Sequence, residues 1–140
     1  MPSVFSRIVA GELPAYKVAE TQDFLAFLDI RPLVRGHTLV IPKTEIDYLL
    51  DLPEELYMGL WLFAREVARA IHLAIPCARV AFAVVGLEVP HAHIHLVPIQ
   101  SMADLNFQKP RVELTPEEFQ ATAAAIQAKL RELHPQRPVS

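Results

Sequence analysis

The sequence contains a single cysteine, Cys77, and no long run of hydrophobic residues. One cysteine cannot form a disulfide framework or a cysteine-based metal site within the chain, and it suits a reducing cytosol. No stretch reaches the roughly 18 uncharged apolar residues of a membrane helix. The N-terminal residues include Arg7 and Glu12, where a secretion signal would be apolar. We therefore expect a cytoplasmic protein with no membrane partner.

The sequence also lacks an excess of positive charge. Its formal net charge is -3, so we expect no nucleic acid partner, because such a partner is held mainly through phosphate contacts with basic residues. With 140 residues, 52% of them hydrophobic and 21% charged, the chain can bury one core. We expect residues 1–140 to form a single domain, with 101–140 as a loop and C-terminal helix extension.

Hydrophobic patterning predicts four strands. Residues 24–28 and 38–41 are short apolar segments that end near prolines, which predicts a hairpin. Residues 79–85 are β-branched and apolar, and residues 91–98 alternate, which predicts a second antiparallel pair. Residues 101–113 have no period and are interpreted as an ordered loop.

Two helices are predicted. Residues 53–75 have apolar side chains at helical spacing, with Asp51 as the expected N-cap. A second helix is predicted from Thr115 as N-cap, Pro116 at the first helical position and Glu118 completing a capping box. The fold class is therefore predicted to be α+β.

Three of the six histidines, His91, His93 and His95, alternate along one predicted strand. Alternate strand positions share a face, so the three imidazoles are expected to form a row. Imidazole titrates near neutral pH and can act as nucleophile, acid, base or anion-binding cation, which suits phosphoryl chemistry. Two alternatives stay open from spacing alone: a purely structural role, and a zinc site with three histidine ligands.

The histidine row and its flanking segments resemble the histidine-triad (HIT) family. HAHIHLV matches the family pattern of three histidines separated by apolar residues, FSRIVAGELPAYKVAE resembles the N-terminal segment, and FLAFLDIRPLVRGHTLVIPK resembles the nucleotide-binding hairpin. The match covers residues 3 to about 100. The resemblance implies an antiparallel sheet of about five strands, a long central helix, a C-terminal helix and a homodimer.

The resemblance also implies roles for individual residues. His93 corresponds to the nucleophile and His95 to the residue that binds phosphoryl oxygens, while His91 and His37 have auxiliary roles in charge and proton movement. Asp29 corresponds to the acceptor of the ribose hydroxyls, although an aspartate before a proline-containing turn can equally cap that turn. The residues that resemble the wall of a purine pocket are apolar: Phe5, Ile8, Leu13, Phe27 and Ile30.

The chain departs from the family at two places. Many members have a Cys-x-x-Cys and a further histidine where this chain has Ser3, Ser6 and Glu45; hydroxyls are poor zinc ligands, so we expect no structural zinc and no cofactor. The link before the triad is shorter than in relatives and has no asparagine, so phosphate contacts are expected from backbone N–H groups around Gly86. Glu88 in this link either turns to solvent, holds a histidine in its protonated form, or recognises a cationic leaving group.

These observations predict a nucleotidyl hydrolase. Neutral His93 would attack the α-phosphorus of a purine nucleotide, with a nucleoside phosphoramidate as the preferred substrate class. Two alternatives are a dinucleoside polyphosphate hydrolase, which should need further basic residues for the second nucleotide, and a non-catalytic nucleotide-binding protein.

Overall fold

The structure, a computed structural model, describes residues 2–135 and contains a five-stranded sheet with helices on both faces. Two short 3-10 helices, Leu49–Asp51 and Met102–Asp104, lie in the connections. The main elements are α1 (Val4–Val9), β1 (Lys17–Glu20), β2 (Phe24–Leu28), β3 (Thr38–Pro42), α2 (Glu54–Ala74), β4 (Arg79–Ala83), β5 (Ile94–Ile99) and α3 (Pro116–Leu133). This architecture confirms the predicted α+β fold with a long central helix and a C-terminal helix.

The sheet has the strand order β1-β2-β3-β5-β4, and every neighbouring pair is antiparallel. The predicted pairing of β2 with β3 and of β4 with β5 is confirmed. Because β5 inserts between β3 and β4, His95 lies opposite Leu39 on one side and Ala83 on the other. The third triad histidine is therefore central in the sheet.

Alternation along β5 assigns each residue to one face of the sheet. Ile94 and Leu96 belong to the large core that α2 and α3 cover. His95 lies between them in sequence and so faces the opposite side. That side is covered by α1, whose Phe5 and Ile8 pack in a second, smaller cluster. His95 and the main core thus lie on opposite faces of one sheet.

The start of α2 differs from the prediction. The helix begins at Glu54 with Pro53 at the N-cap, and Asp51 instead ends the preceding 3-10 helix. Leu52 has extended backbone (φ -64, ψ 138), as expected for a residue before proline, since the proline ring disfavours the helical region there. The helix cannot continue back to Asp51, so the predicted cap was wrong.

The start of α3 agrees with the prediction. The Thr115 side chain accepts from the Glu118 backbone N–H at 3.1 Å, and the Glu118 side chain accepts from the Thr115 N–H at 3.1 Å. Pro116 is the first helical residue. The helix packs against α2, and Phe119 stacks on Tyr16 at 4.9 Å between ring centroids.

The strand that carries the triad begins later than predicted. β5 starts at Ile94, so His91, Ala92 and His93 precede it rather than forming its first three residues. In this segment the His91 N–H donates to Val89 O at 2.8 Å and the Ala92 N–H donates to Ile46 O at 2.7 Å. These bonds tie the segment to its own turn and to the loop after β3, and the strand pairing begins only at Ile94.

Residues 101–113 are held against the loop that connects β2 to β3. The Val112 N–H donates to Pro32 O at 2.9 Å, and Arg111 Nη1 donates to Arg31 O at 2.7 Å. Across the described part of the chain, no helix is both long and apolar enough to span a bilayer.

Candidate active site

His37, His91, His93 and His95 are buried near one another, although they do not form the even row expected of one strand. The rings of His93 and His95 lie 4.9 Å apart and those of His37 and His95 5.2 Å apart. The expectation of three histidines on a single strand was wrong, because only His95 is in β5. The His91 ring instead turns toward α1 and the end of β3.

His93 has one ring nitrogen committed to the backbone. Its Nδ1 lies 2.7 Å from His91 O, and because a carbonyl oxygen only accepts, Nδ1 must carry the proton. In the neutral ring the lone pair is then on Nε2. Phe5 packs edge-on against this ring at 5.1 Å between centroids. His93 is thus oriented with an unshared nucleophilic nitrogen.

The proton position on His95 follows from its contact with His37. The Leu33 N–H donates to His37 Nδ1 at 3.0 Å, so the neutral His37 ring carries its proton on Nε2. That nitrogen lies 3.0 Å from His95 Nδ1, which must therefore accept, leaving the His95 proton on Nε2. His95 consequently offers an N–H donor beside the free nitrogen of His93.

Burial keeps this pair neutral. It lowers the pKa of His37 to about 3 and the pKa of His95 to about 4, with smaller contributions from neighbouring positive charge. His95 must be neutral for its Nδ1 to accept from His37, and His37 must be neutral for its own Nδ1 to accept from the Leu33 N–H. The pair therefore acts as a fixed dipole rather than as a charge at physiological pH.

His91 has both ring nitrogens occupied by protein atoms. Nε2 donates to Pro42 O at 2.8 Å, and Nδ1 accepts from the Ser3 hydroxyl at 2.8 Å. Burial lowers the pKa of His91, so the neutral form fits these two bonds. No ring nitrogen of His91 is left to contact a substrate.

Asp29 lies at the end of β2 with one carboxylate oxygen engaged. Oδ1 accepts from the Arg31 N–H at 2.9 Å, as in a turn-capping aspartate, and Oδ2 is 3.7 Å from His37 Nε2. Burial raises the pKa of Asp29. The residue thus caps the turn and also presents a second oxygen toward the histidine cluster.

Four of the five apolar residues assigned to a base pocket come together. Phe5, Ile8 and Phe27 are buried in the cluster under α1, and Leu13 packs at its edge. Ile30 lies outside this cluster and is 68% exposed. Gly86 and Glu88 are exposed in the link before the triad, and Gly86 has a positive φ of 77°.

The structure adds two residues that the sequence interpretation missed. Phe107 packs edge-on against His95 at 4.8 Å and against His37 at 6.4 Å between ring centroids. The Arg111 guanidinium lies over the Phe107 ring, 5.8 Å from its centroid. Both residues come from the segment without a period, where a lone aromatic and a lone arginine gave no signal.

One group of potential metal ligands occurs within residues 2–135. Ligand atoms of Asp29, His37 and His95 lie within 4.8 Å of one another. A neutral histidine that binds metal through Nε2 must carry its proton on Nδ1 and donate it, whereas His37 Nδ1 accepts from the Leu33 N–H. The donor set therefore does not fit a metal ion.

Comparison with known proteins gives concordant results. The family model of the HIT domain matches residues 10–102. An uncharacterised HIT-like protein of Mycobacterium tuberculosis is 39% identical over 118 residues, covering 78% of this chain and 79% of that protein. The adenosine 5'-monophosphoramidase of Schizosaccharomyces pombe is 32% identical over 137 residues, covering 94% of this chain and 100% of that protein.

Solved structures agree with the sequence relatives. A zinc-bound histidine triad family protein from Mycobacterium smegmatis superposes with a TM-score of 0.81 at 33% identity, covering 96% of both chains. The similarity of the two folds supports the same family as the match to the HIT domain model. The chain therefore belongs to the HIT domain family of histidine-triad proteins.

Proposed function

We propose that this protein is a nucleotidyl hydrolase that cleaves nucleoside phosphoramidates through a nucleotidyl-histidine intermediate. The observation that carries the proposal is the pairing of an unshared His93 Nε2 with an N–H donor on the adjacent His95. A nucleophile needs a free lone pair, and a phosphoryl group needs a donor for its charged oxygens. The name of the Schizosaccharomyces pombe relative supports this substrate class.

The reaction proceeds by two displacements at the α-phosphorus. His93 Nε2 attacks and forms a phosphorus–nitrogen bond, while the bond to the leaving group breaks and the leaving amine takes up a proton from solvent. Water then attacks the same phosphorus and returns a proton to solvent, the bond to His93 breaks, and a nucleoside monophosphate is released. His95 Nε2–H hydrogen-bonds the phosphoryl oxygens in both steps.

His91 and His37 act as positioning residues in this scheme. The His91 carbonyl orients the His93 ring, and His37 fixes the tautomer of His95. Asp29 Oδ2 accepts from the ribose hydroxyls, and the cluster of Phe5, Ile8, Leu13 and Phe27 encloses a purine base. Backbone N–H groups near Gly86 contact the phosphate, and the exposed Glu88 supports the interpretation in which its side chain turns to solvent.

The first experiment is AMP release from an adenosine phosphoramidate by the wild type and by His93→Ala, with chelator present. We expect wild-type turnover to persist in chelator, and His93→Ala to lose activity by about 10⁴-fold, as expected for removal of a nucleophile. His72→Ala is the matched control, because His72 is an exposed histidine on α2. Mass spectrometry of the quenched enzyme should find the nucleotide attached to His93.

Three outcomes would redirect the proposal. Loss of activity in chelator would support metal catalysis, and equal activity in His93→Ala would exclude the covalent route. Binding of AMP without turnover of any phosphoramidate would support the alternative of a non-catalytic nucleotide-binding protein.

Arg111 favours a second candidate, hydrolysis of dinucleoside polyphosphates. Such a substrate needs a cation for the phosphates beyond the α position, and Arg111 lies over Phe107, which contacts His95. If this candidate is correct, Arg111→Gln lowers kcat/KM for diadenosine tetraphosphate by about 10-fold or more and leaves the phosphoramidate nearly unchanged. Equal effects on both substrates would exclude it.

We also propose a homodimer located in the cytoplasm, with no nucleic acid partner. β4 lies at one edge of the sheet, and α2 exposes apolar side chains at Met58 and Leu62. An interface along α2 would cover these apolar side chains.

A further inference from the structure

Three residues that are far apart in the sequence converge where α1 meets the triad segment. Ser3 and Ser6 lie at the start of α1, and Glu45 follows β3. All three are connected by hydrogen bonds to one another, and Ser3 connects them to His91. We call Ser3, Ser6 and Glu45 the serine–glutamate clamp.

Glu45 is the acceptor of the clamp. Its Oε1 accepts from the Ser3 N–H at 2.6 Å and from the Ser6 hydroxyl at 2.6 Å. These bonds, led by the one from the Ser3 backbone, lower the pKa of Glu45 to about 2. The exposed side chain is therefore a carboxylate at neutral pH, and its two short hydrogen bonds are charge-assisted.

Ser3 connects α1 to the triad. Its Oγ accepts from the Ser6 N–H at 3.0 Å as the N-cap of α1, and its hydroxyl proton is donated to His91 Nδ1 at 2.8 Å. His91 in turn donates from Nε2 to Pro42 O. The clamp therefore joins α1, the end of β3 and the segment before β5 in one network.

The family resemblance implies zinc ligands at these three sequence positions, but the residues present here do not fit zinc. Zinc prefers thiolate and imidazole donors. Here both serine protons are directed to protein acceptors, and the Glu45 oxygen already accepts two bonds. The network satisfies its own polar groups without an ion.

α1 depends on such an anchor because it has only six residues. A helix of this length is unstable by itself, since its few hydrogen bonds do not offset the cost of nucleation. It nevertheless positions Phe5, whose ring lies 5.1 Å from His93 and 5.5 Å from Phe27. The position of Phe5 beside His93 therefore depends on how firmly α1 is held against the rest of the protein.

We propose that the serine–glutamate clamp replaces a structural metal and holds α1, with Phe5, against His91 and His93. Its members are positioning residues for nucleotide binding. The effect on substrate rests on the function proposed above, whereas the effect on α1 does not.

The test compares Glu45→Ala with Glu45→Gln. Alanine removes the acceptor, whereas the glutamine Oε1 can still accept both bonds. We expect Glu45→Ala to increase amide hydrogen exchange in residues 3–9 and to weaken AMP binding, each by about 10-fold or more, while kcat changes less than KM. Glu45→Gln should retain most of the protection and affinity. Asp47→Ala is the matched control, because Asp47 is an exposed acidic residue in the same loop.

A second variant tests whether zinc ligands placed at the three clamp positions can bind a metal ion. Ser3→Cys, Ser6→Cys and Glu45→His combined should bind one zinc per chain, and chelator should then expose α1 to exchange. Chelator should leave wild-type α1 unchanged. The proposal is overturned if Glu45→Ala leaves exchange and AMP affinity at wild-type values, or if chelator releases α1 in the wild type.

If Glu45→Ala does not fold, Ser6→Ala removes one of the two donors to Oε1 and is measured in its place. Hydrogen exchange and AMP binding need no turnover, so an inactive wild type would contradict the proposed hydrolysis without affecting this test.

Discussion

Neighbouring atoms give the four clustered histidines different chemical states. A carbonyl beside His93 Nδ1 forces the proton onto that nitrogen, whereas a backbone N–H beside His37 Nδ1 forces it away. His95 inherits its tautomer from His37. Residues of one type thus differ in which ring nitrogen carries the proton, and this difference underlies the separate roles proposed for them above.

The buried histidine pair predicts a loss of stability on acidification. The folded-state pKa values of His37 (about 3) and His95 (about 4) lie below the ordinary value of 6.5, so the unfolded chain binds more protons than the native one. The free energy of unfolding should therefore fall as pH decreases below about 6.5. Between about pH 7.5 and pH 5 we expect a loss of about 2 kcal/mol per histidine.

Urea denaturation at several pH values measures this slope. In His37→Gln, the free energy of unfolding should decrease less steeply on acidification, because one of the two buried histidines no longer contributes. This holds whatever the substitution does to stability at neutral pH. His72→Ala, an exposed histidine, should leave the slope unchanged. An identical slope in His37→Gln would show that His37 does not resist protonation in the native state.

At the level of elements, the turn before β3 depends on Gly36. Its φ is +95°, and an added Cβ would lie 3.1 Å from both Ile75 Cγ1 and Pro98 Cγ. Gly36→Ala therefore combines backbone strain of about 1 to 2 kcal/mol with overpacking of about 1 kcal/mol or more. The turn leads directly into His37, so the same change should also reduce activity.

Gly11→Ala separates the two costs. Gly11 has a similar φ of +80°, but an added Cβ would meet nothing within 4 Å. Thermal or urea unfolding should rank the stabilities as wild type, Gly11→Ala and then Gly36→Ala. Equal destabilisation by the two substitutions would mean that the side chains of Ile75 and Pro98 move away from the added Cβ without a loss of stability.

Proline and tertiary contacts explain where element boundaries depart from the predictions. Pro53 fixes the start of α2. The prediction of Asp51 as N-cap followed from its polar side chain alone. The hydrogen bond from the Ala92 N–H to Ile46 O holds the segment before β5 in place. The two residues are far apart in the sequence, so no local pattern could predict this contact. By contrast, the cap of α3 is local, because Thr115 and Glu118 satisfy each other.

At the scale of the whole molecule, the exposed apolar face of α2 predicts self-association. Met58 and Leu62 are 54% and 52% exposed, in a groove that Tyr57 and Trp61 complete. Light scattering should find a dimer for the wild type, and Met58→Glu with Leu62→Glu should shift it toward monomer. Met102→Glu, which also changes an exposed methionine, should have no effect.

A monomeric wild type over the micromolar range would contradict the dimer. The expectation of one domain for residues 1–140 stays a prediction that limited proteolysis can test.

The sequence by itself determined the family, the pairing of β2 with β3 and of β4 with β5, the cap of α3 and the identity of the histidine cluster. All of these depend on residue type and short-range spacing. Only the tertiary structure decided the tautomers, the separation of His91 from the strand, and the contributions of Phe107, Arg111 and the serine–glutamate clamp. Each of those depends on atoms that the chain brings together from distant positions, such as Ser3 and His91. Hydrogen bonds of this kind leave no periodic trace in the sequence, because they require only one donor and one acceptor at the right distance.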